Sequence, residues 1–266
     1  MPLMLVLLCF FSLASTQTGK NPEPIGMVDR VSGKWIRAQD GVELRRGELI
    51  FEGQTVLVER TTSASISIFM FATLQLWEKK CTEQSPCGGS YGPPVPTTQW
   101  GIFALFKSYW TPDRRLPPVL LAGRSFAGHG PNHALLQRLG TSVSLKPALE
   151  KVSAGLYTVK LSPAPDPLSV NVVSARDAAV RVGPDATPEI KGLTNGLYIL
   201  TLVSEAGDTV GSNAVVLVSS SENGQVQEMW AEAKAQAQTW KAASPATVDI
   251  FLARVLYSLD AQLRHQ

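Results

Sequence analysis

The phrase VSAGLYTVKL at residues 152–161 returns as LTNGLYILTL at residues 193–202. In each copy a Gly precedes a run whose Tyr and alternate followers are apolar: Tyr157, Val159 and Leu161, then Tyr198, Leu200 and Leu202. Alternation with period two puts such residues on one side of a strand, so both runs read as strands with a core-facing side. Turn residues follow each copy, from Ser162 to Pro167 and from Ala206 to Asp208. A second alternating run comes next, Ser169 to Val173 or Asn213 to Val218. The repeated unit is therefore a β-hairpin. A hairpin of about forty residues buries too little apolar surface to stand alone, so the two copies are expected to share one core.

Downstream of the repeat the period changes. Val226, Met229, Trp230, Ala233, Ala237 and Trp240 recur every three or four positions, as do Val248, Phe251, Leu252, Val255, Leu256, Leu259 and Leu263. This spacing predicts two amphipathic helices over 221–266, an αα-hairpin. Ser244 is placed to cap the second helix and Pro245 to open its first turn. Such a tail packs back on its own domain, with a partner-binding helix pair as the functional alternative.

Upstream, the chain from Pro24 to Cys87 is β-rich and punctuated by glycines. Ala64 to Phe69 and Thr73 to Glu78 alternate, which puts Ile66 and Ile68 on one face and Leu74 and Leu76 on another, and these faces are expected to pack together. KKCTEQSPCGG at residues 79–89 supplies Cys81 and Cys87 with turn-forming Pro86, Gly88 and Gly89 between and beside them. No histidine is near, and the C-x-x-C spacing of a redox pair is missing. A structural disulfide across a small loop is the expected reading. From 88 to 115 a Pro/Gly-rich stretch leads into an aromatic run with Trp100, Phe103, Phe106 and Trp110, read as a connector whose aromatics close a seam between units. Membrane-surface contact is the alternative.

The amino terminus, MPLMLVLLCFFSLASTQ, is apolar from Leu3 to Leu13, the length of a signal-peptide core and short for a membrane span. Residues 1–16 are expected to be a signal peptide cleaved near Ala14, with an uncleaved anchor as the alternative. The mature chain is then periplasmic or extracellular. Over the full 266 residues, 44% are hydrophobic, 17% are charged and the net charge is +2. That composition describes a folded protein. The interspersed charges contain no basic block that would neutralise phosphates, which argues against nucleic acid as a partner.

Two stretches carry residue types that could support chemistry. Gly123-Arg124-Ser125-Phe126-Ala127, after an apolar run and before a candidate helix, approximates the G-x-S-x-G turn of serine hydrolases, with Ser125 as nucleophile. The strands around it do not alternate with helices, and His129 and His133 do not arrive from a late loop as that fold requires. His129 and His133 also form H-x-x-x-H, but Gly130 and Pro131 break the helix that would bring both imidazoles to one metal. They read as solvent-exposed loop residues. The expectation is a chain with no catalytic residue, no cofactor and no metal.

Two resemblances join these readings. GVELRRGELIFEGQTVLVERTTSASISIF at residues 41–69 resembles the periplasmic FecR-like domain, in which a strand leads through a Leu-x-x-Gly step and a Thr-containing turn into an alternating strand. The resemblance implies a role in signalling across a bacterial envelope or in a surface scaffold. Gly-x-Tyr at the start of a strand resembles the tyrosine corner of immunoglobulin-like sandwiches, in which the phenol ties down the incoming turn. The expected architecture is mainly β: a FecR-like β-unit over 24–87, an immunoglobulin-like β-sandwich over 116–220 and the helical hairpin. The expected function is a non-catalytic binding or scaffold protein of the envelope, its partner an envelope protein of unknown identity, with the Ser125 hydrolase as the alternative.

Overall fold

The computed structural model describes residues 24–93, 132–164, 175–219 and 223–264, and it is mainly β. The segment read as signal peptide and the connector from residue 94 on, together with Ser125 and His129, lie outside the described residues.

Seven strands build the N-terminal unit: β1 (Pro24–Ser32), β2 (Trp35–Arg37), β3 (Leu49–Phe51), β4 (Val56–Thr61), β5 (Ser65–Met70), β6 (Gln75–Lys80) and β7 (Cys87–Tyr91). They form two sheets, ordered β3-β1-β5-β6 and β2-β4-β7. One core lies between them, with Val28, Ile50, Ile66 and Ile68 from the first sheet against Trp35, Val56 and Val58 from the second. Gly26 of β1 runs so close to β5 that a Cβ there would sit 2.8 Å from the Phe69 carbonyl oxygen. Strand β7 continues to Tyr91, beyond the expected boundary at 87.

The expected packing of Ile66 and Ile68 on Leu74 and Leu76 is corrected here. Leu74 lies in the β5–β6 turn at φ 54, and the register pairs Ile68 with Trp77 and Phe69 with Leu76. Leu76 therefore shares the face of Phe69, and Leu74 and Leu76 pack against a different core from the isoleucines. A turn that shifts the partner strand by one residue exchanges its two faces, and local alternation does not report the turn length.

Cys81 and Cys87 are bonded, with their Cα atoms 5.1 Å apart. The bond ties the end of β6 in one sheet to the start of β7 in the other. It closes the crossing between sheets rather than the end of a hairpin, and both cysteines are buried in the core they help to join.

The repeat forms the centre of a seven-stranded sheet. Its strands are β8 (Ala134–Leu139), β9 (Ser142–Ser144), β10 (Gly155–Pro163), β11 (Arg176–Val182), β12 (Glu189–Lys191), β13 (Gly196–Ser204) and β14 (Thr209–Ser219), in the order β11-β10-β13-β14-β8-β9-β12. The partner of β10 in the first hairpin is β11; the strand expected at 169–173 lies outside the described residues. The second hairpin, β13 with β14, forms where it is expected. Residues 134–139, in the region of the candidate helix of the hydrolase reading, are strand β8, parallel to β14. A short apolar run such as ALLQRL suits either state, and pairing with β14 decides it.

The two copies share one core. Val159 and Leu161 of β10 pack with Tyr198, Leu200 and Leu202 of β13, and a short helix α1 (Lys146–Leu149) adds Ala148 and Leu149. Both ends of the sheet reach the same core through Val180 and Ile190, so the sheet curves around it. Each Tyr donates its phenol to the carbonyl four residues upstream, Tyr157 to Ser153 and Tyr198 to Thr194, both at 3.1 Å. Tyr198 is fully buried, whereas Tyr157 is half-buried.

Two helices complete the chain, α2 (Asn223–Gln238) and α3 (Pro245–Arg264). Helix α2 is amphipathic and turns Val226, Met229, Trp230, Ala233 and Ala237 inward, as its spacing predicts. Helix α3 is different, because no residue from Ala246 to Asp260 is exposed. It packs on α2, on β13 and β14, and on β1. The resulting core joins Met27, Leu49, Phe51 and Phe69 of the N-terminal unit to Leu197, Ile199, Ala214 and Val216 of the second sheet through the helices. Trp240 centres it, with ring centroids 4.7 Å from Phe69, 5.6 Å from Phe71 and 4.4 Å from Phe251.

Tyr198→Ala is expected to cost about 3–5 kcal/mol, the range for truncating a fully buried aromatic. Tyr157→Ala should cost about 1–3 kcal/mol, because only part of that ring leaves water. Denaturant unfolding should show both lowering the same transition. Two transitions, each moved by one tyrosine, would contradict the shared core.

Candidate functional site

Several of the buried polar residues, Asp29, Thr247, Arg254 and His133 among them, lie where α3 meets the two β-units. The start of α3 follows from its sequence: the Ser244 hydroxyl accepts the Thr247 N–H at 3.3 Å, and Pro245 takes the first turn, where no N–H is needed. A helix start still exposes unpaired donors and the positive end of its dipole. Asp29 answers both. Its Oδ1 accepts the Ser244 backbone N–H at 2.8 Å and the Thr247 hydroxyl at 2.6 Å, and Oδ2 pairs with the Arg30 Nε at 3.1 Å.

Asp29 reaches the helix because β1 carries an extra residue there. Val28 pairs with Ile68, and Arg30 with Ser67, so Asp29 is left between successive rungs of the ladder. A bulge of this kind re-aims one side chain and shifts the phase beyond it. Accordingly Val28 and Val31, three apart, both pack against the core between the N-terminal sheets.

About 10 Å further along α3, Arg254 makes the second tie. Its Nε and Nη2 both donate to the Gly47 carbonyl, at 3.0 and 2.6 Å. Gly47 holds φ 83, a conformation suited to glycine, and its N–H donates to Val28. Burial pulls the guanidinium down to about 10, opposed by the nearby Glu48 carboxylate, so it stays charged at neutral pH.

On the opposite side of the joint lies His133, which immediately precedes β8. The expectation of an exposed loop histidine is corrected: it is buried, and its Nδ1 accepts the Ala214 N–H of β14 at 3.1 Å. That bond requires the neutral ring. Burial lowers its pKa from 6.5 to about 4, against the opposing pull of Asp249 on α3. The strand pairing of β8 with β14 brings the histidine to Ala214, and that pairing spans a long stretch of chain.

Of the residues singled out from sequence, Cys81 and Cys87 meet, while His133 stands apart from them as a backbone acceptor. Among the described residues, no three His, Cys, Asp or Glu side chains converge as a metal site, and no helix is long and apolar enough to cross a membrane. What the arrangement does is mechanical. Asp29, Arg254 and His133 each hydrogen-bond a backbone group of another element, which fixes one element against the next. Asp29 and Arg254 went unread in the sequence, although each leaves a trace: a carboxylate within the apolar strand IGMVDRV and a guanidinium within the buried stripe IFLARVL. Comparison with family models, curated proteins and solved structures finds no match to this chain.

Asp29→Ala leaves the Ser244 N–H and the Thr247 hydroxyl proton without their acceptor in the interior, at an expected cost of about 3 kcal/mol. Asp29→Asn, which keeps an acceptor, should cost less. Equal losses in urea unfolding would show that the carboxylate oxygen is not what holds the helix.

His133 makes stability depend on pH in a definite direction. Between about pH 6.5 and 4 the unfolded chain binds a proton that the folded chain does not, so stability falls as pH is lowered through that window. The expected loss by pH 4.5 is about 2 kcal/mol. His133→Gln keeps an acceptor without titrating, so comparing the two proteins by urea unfolding at pH 7 and 4.5 isolates this contribution. Parallel losses in both would exclude it.

Proposed function

We propose that this chain is an exported, non-catalytic binding or scaffold protein of a bacterial cell envelope. In this reading a FecR-like β-unit and an immunoglobulin-like sandwich are held in one orientation by a C-terminal helical hairpin. The observation that carries the proposal is α3, without an exposed residue from Ala246 to Asp260, set between the two β-units and tied by Asp29 and Arg254 to the first. Units joined by a simple linker move relative to one another; a shared helix core with buried polar ties suits a protein whose task is to present two surfaces at a set angle.

Other features support parts of the reading. The buried Cys81–Cys87 bond is of a kind that persists in oxidising compartments, which favours export. The paired phenol-to-carbonyl bonds of Tyr157 and Tyr198 favour the immunoglobulin-like comparison. The succession of β3, β4 and β5 after a glycine-punctuated loop accords with the FecR-like one.

Fractionation of cells carrying the chain, with amino-terminal sequencing, tests export. The expected product lies outside the cytoplasm, begins within a few residues of Ala14 and has no free thiol. An intact Met1 in the membrane fraction would indicate an anchor instead. Crosslinking in the intact envelope should then recover a protein partner. Labelling by a fluorophosphonate that Ser125→Ala abolishes would replace the scaffold reading with a serine hydrolase.

A further inference from the structure

The two copies of the repeat are symmetric neighbours. Lys160 pairs with Thr201, its own counterpart, while Tyr157 faces Ser204 and Tyr198 faces Pro163. A local two-fold axis therefore passes between β10 and β13. It also relates their outer partners, since Val180 lies opposite Tyr157 as Val215 lies opposite Tyr198. The symmetry ends at the next position outward. Strand β14 is covered on its far edge by β8 from Val215 to Ser219, whereas β11 has β10 on one side and, among the described residues, no strand on the other.

Edge strands are shielded by proline, lysine, bulges or shortness, because an unpaired row of N–H and C=O groups recruits another strand. Strand β11, RDAAVRV, has no proline or lysine, spans seven residues and pairs with β10 without a register shift; its charges, Arg176, Asp177 and Arg181, are what discourage a strand that does not match them. Its even-numbered residues Ala178, Val180 and Val182 turn to the core, and Asp177, Ala179 and Arg181 are exposed on the other face. Neither Asp177 nor Arg181 is in an ion pair among the described residues.

We propose that β11 pairs with β11 of a second copy of this chain, antiparallel and centred on Ala179, in an isologous dimer with one continuous sheet. Charge selects both the partner and the register. About that centre, Asp177 of each copy faces Arg181 of the other, so the strand is complementary to itself. The small Ala179 meets its own counterpart. Ala178 faces Val180, which continues the apolar side of the sheet across the axis. A parallel pairing in register would set Asp177 against Asp177. A one-residue slip would turn apolar side chains to the wrong face, and a two-residue slip would leave the charges unmatched. The pairing begins at Asp177, because the guanidinium of Arg176 lies toward Gly192, next to β12; a Cβ on Gly192 would be 3.4 Å from its Nη2. The proposal is independent of the envelope role.

Sedimentation velocity on the purified chain tests it. A concentration-dependent dimer is expected. Asp177→Arg or Arg181→Asp, each setting like charges opposite one another twice, should weaken it about tenfold, and the double reversal should restore it. Both sites are exposed, and an unchanged unfolding transition would show that the variants fold. In a Cys9→Ser background, Ala179→Cys should form a disulfide-linked dimer on mild oxidation, while Asp177→Cys should not. A monomer at every soluble concentration, a dimer indifferent to the charge reversals, or crosslinking equal at both positions would overturn the proposal.

Discussion

A carboxylate with no exposure to water, set at the first turn of the most deeply buried helix, is the constraint on which the rest of the molecule depends. An ionised side chain taken out of water costs several kcal/mol unless donors surround it. Asp29 finds them in the Ser244 N–H and the Thr247 hydroxyl, and Arg30 adds an opposite charge 3.1 Å from Oδ2. Each of those groups is in place only if β1 carries its bulge and α3 begins where it does. The same contact therefore fixes the phase of a strand near the start of the described chain and the origin of a helix near its end.

The layering follows from that placement. With α3 anchored, its sides are covered by the N-terminal four-stranded sheet, the seven-stranded sheet and α2, and three cores lie in series through the molecule. The middle core is the one that joins the units, and Trp240 draws aromatic rings from β5, from the β5–β6 turn and from α3 into contact. The ties at Asp29 and Arg254 add direction to an otherwise non-directional apolar interface, because each bonds one particular backbone group. This is the physical content of a fixed spacing between two β-units, on which the proposed scaffold role rests.

The repeat shows how a duplicated element comes to serve two environments. Both copies keep the Tyr, its bond to the upstream carbonyl and the inward apolar positions. They part on the opposite face. Ile199 lies under the helices where its counterpart Thr158 does not, and Leu197 is buried while its counterpart Leu156 is 42% exposed. The helix pair covers the second copy alone, and the substitutions between the copies follow that difference in burial.

Much of the local structure was legible in the chain. Alternation after Gly-Leu-Tyr located β10 and β13, the three-and-four spacing located α2 and α3 with the inward residues of α2, Ser244-Pro245 marked the start of α3, and two cysteines in a turn-rich loop foretold their bond. These are properties of period and of short sequence separation, which neighbouring residues determine between themselves. What the tertiary structure decided were relations between distant segments. It set the face that β6 presents after its turn and the parallel pairing that makes residues 134–139 a strand. It also set the burial of His133 against Ala214 and the meeting of Asp29 with Ser244 across most of the chain. Each depends on a register or a bulge, where a shift of one residue reverses which side chains face inward, and local period carries no record of such shifts.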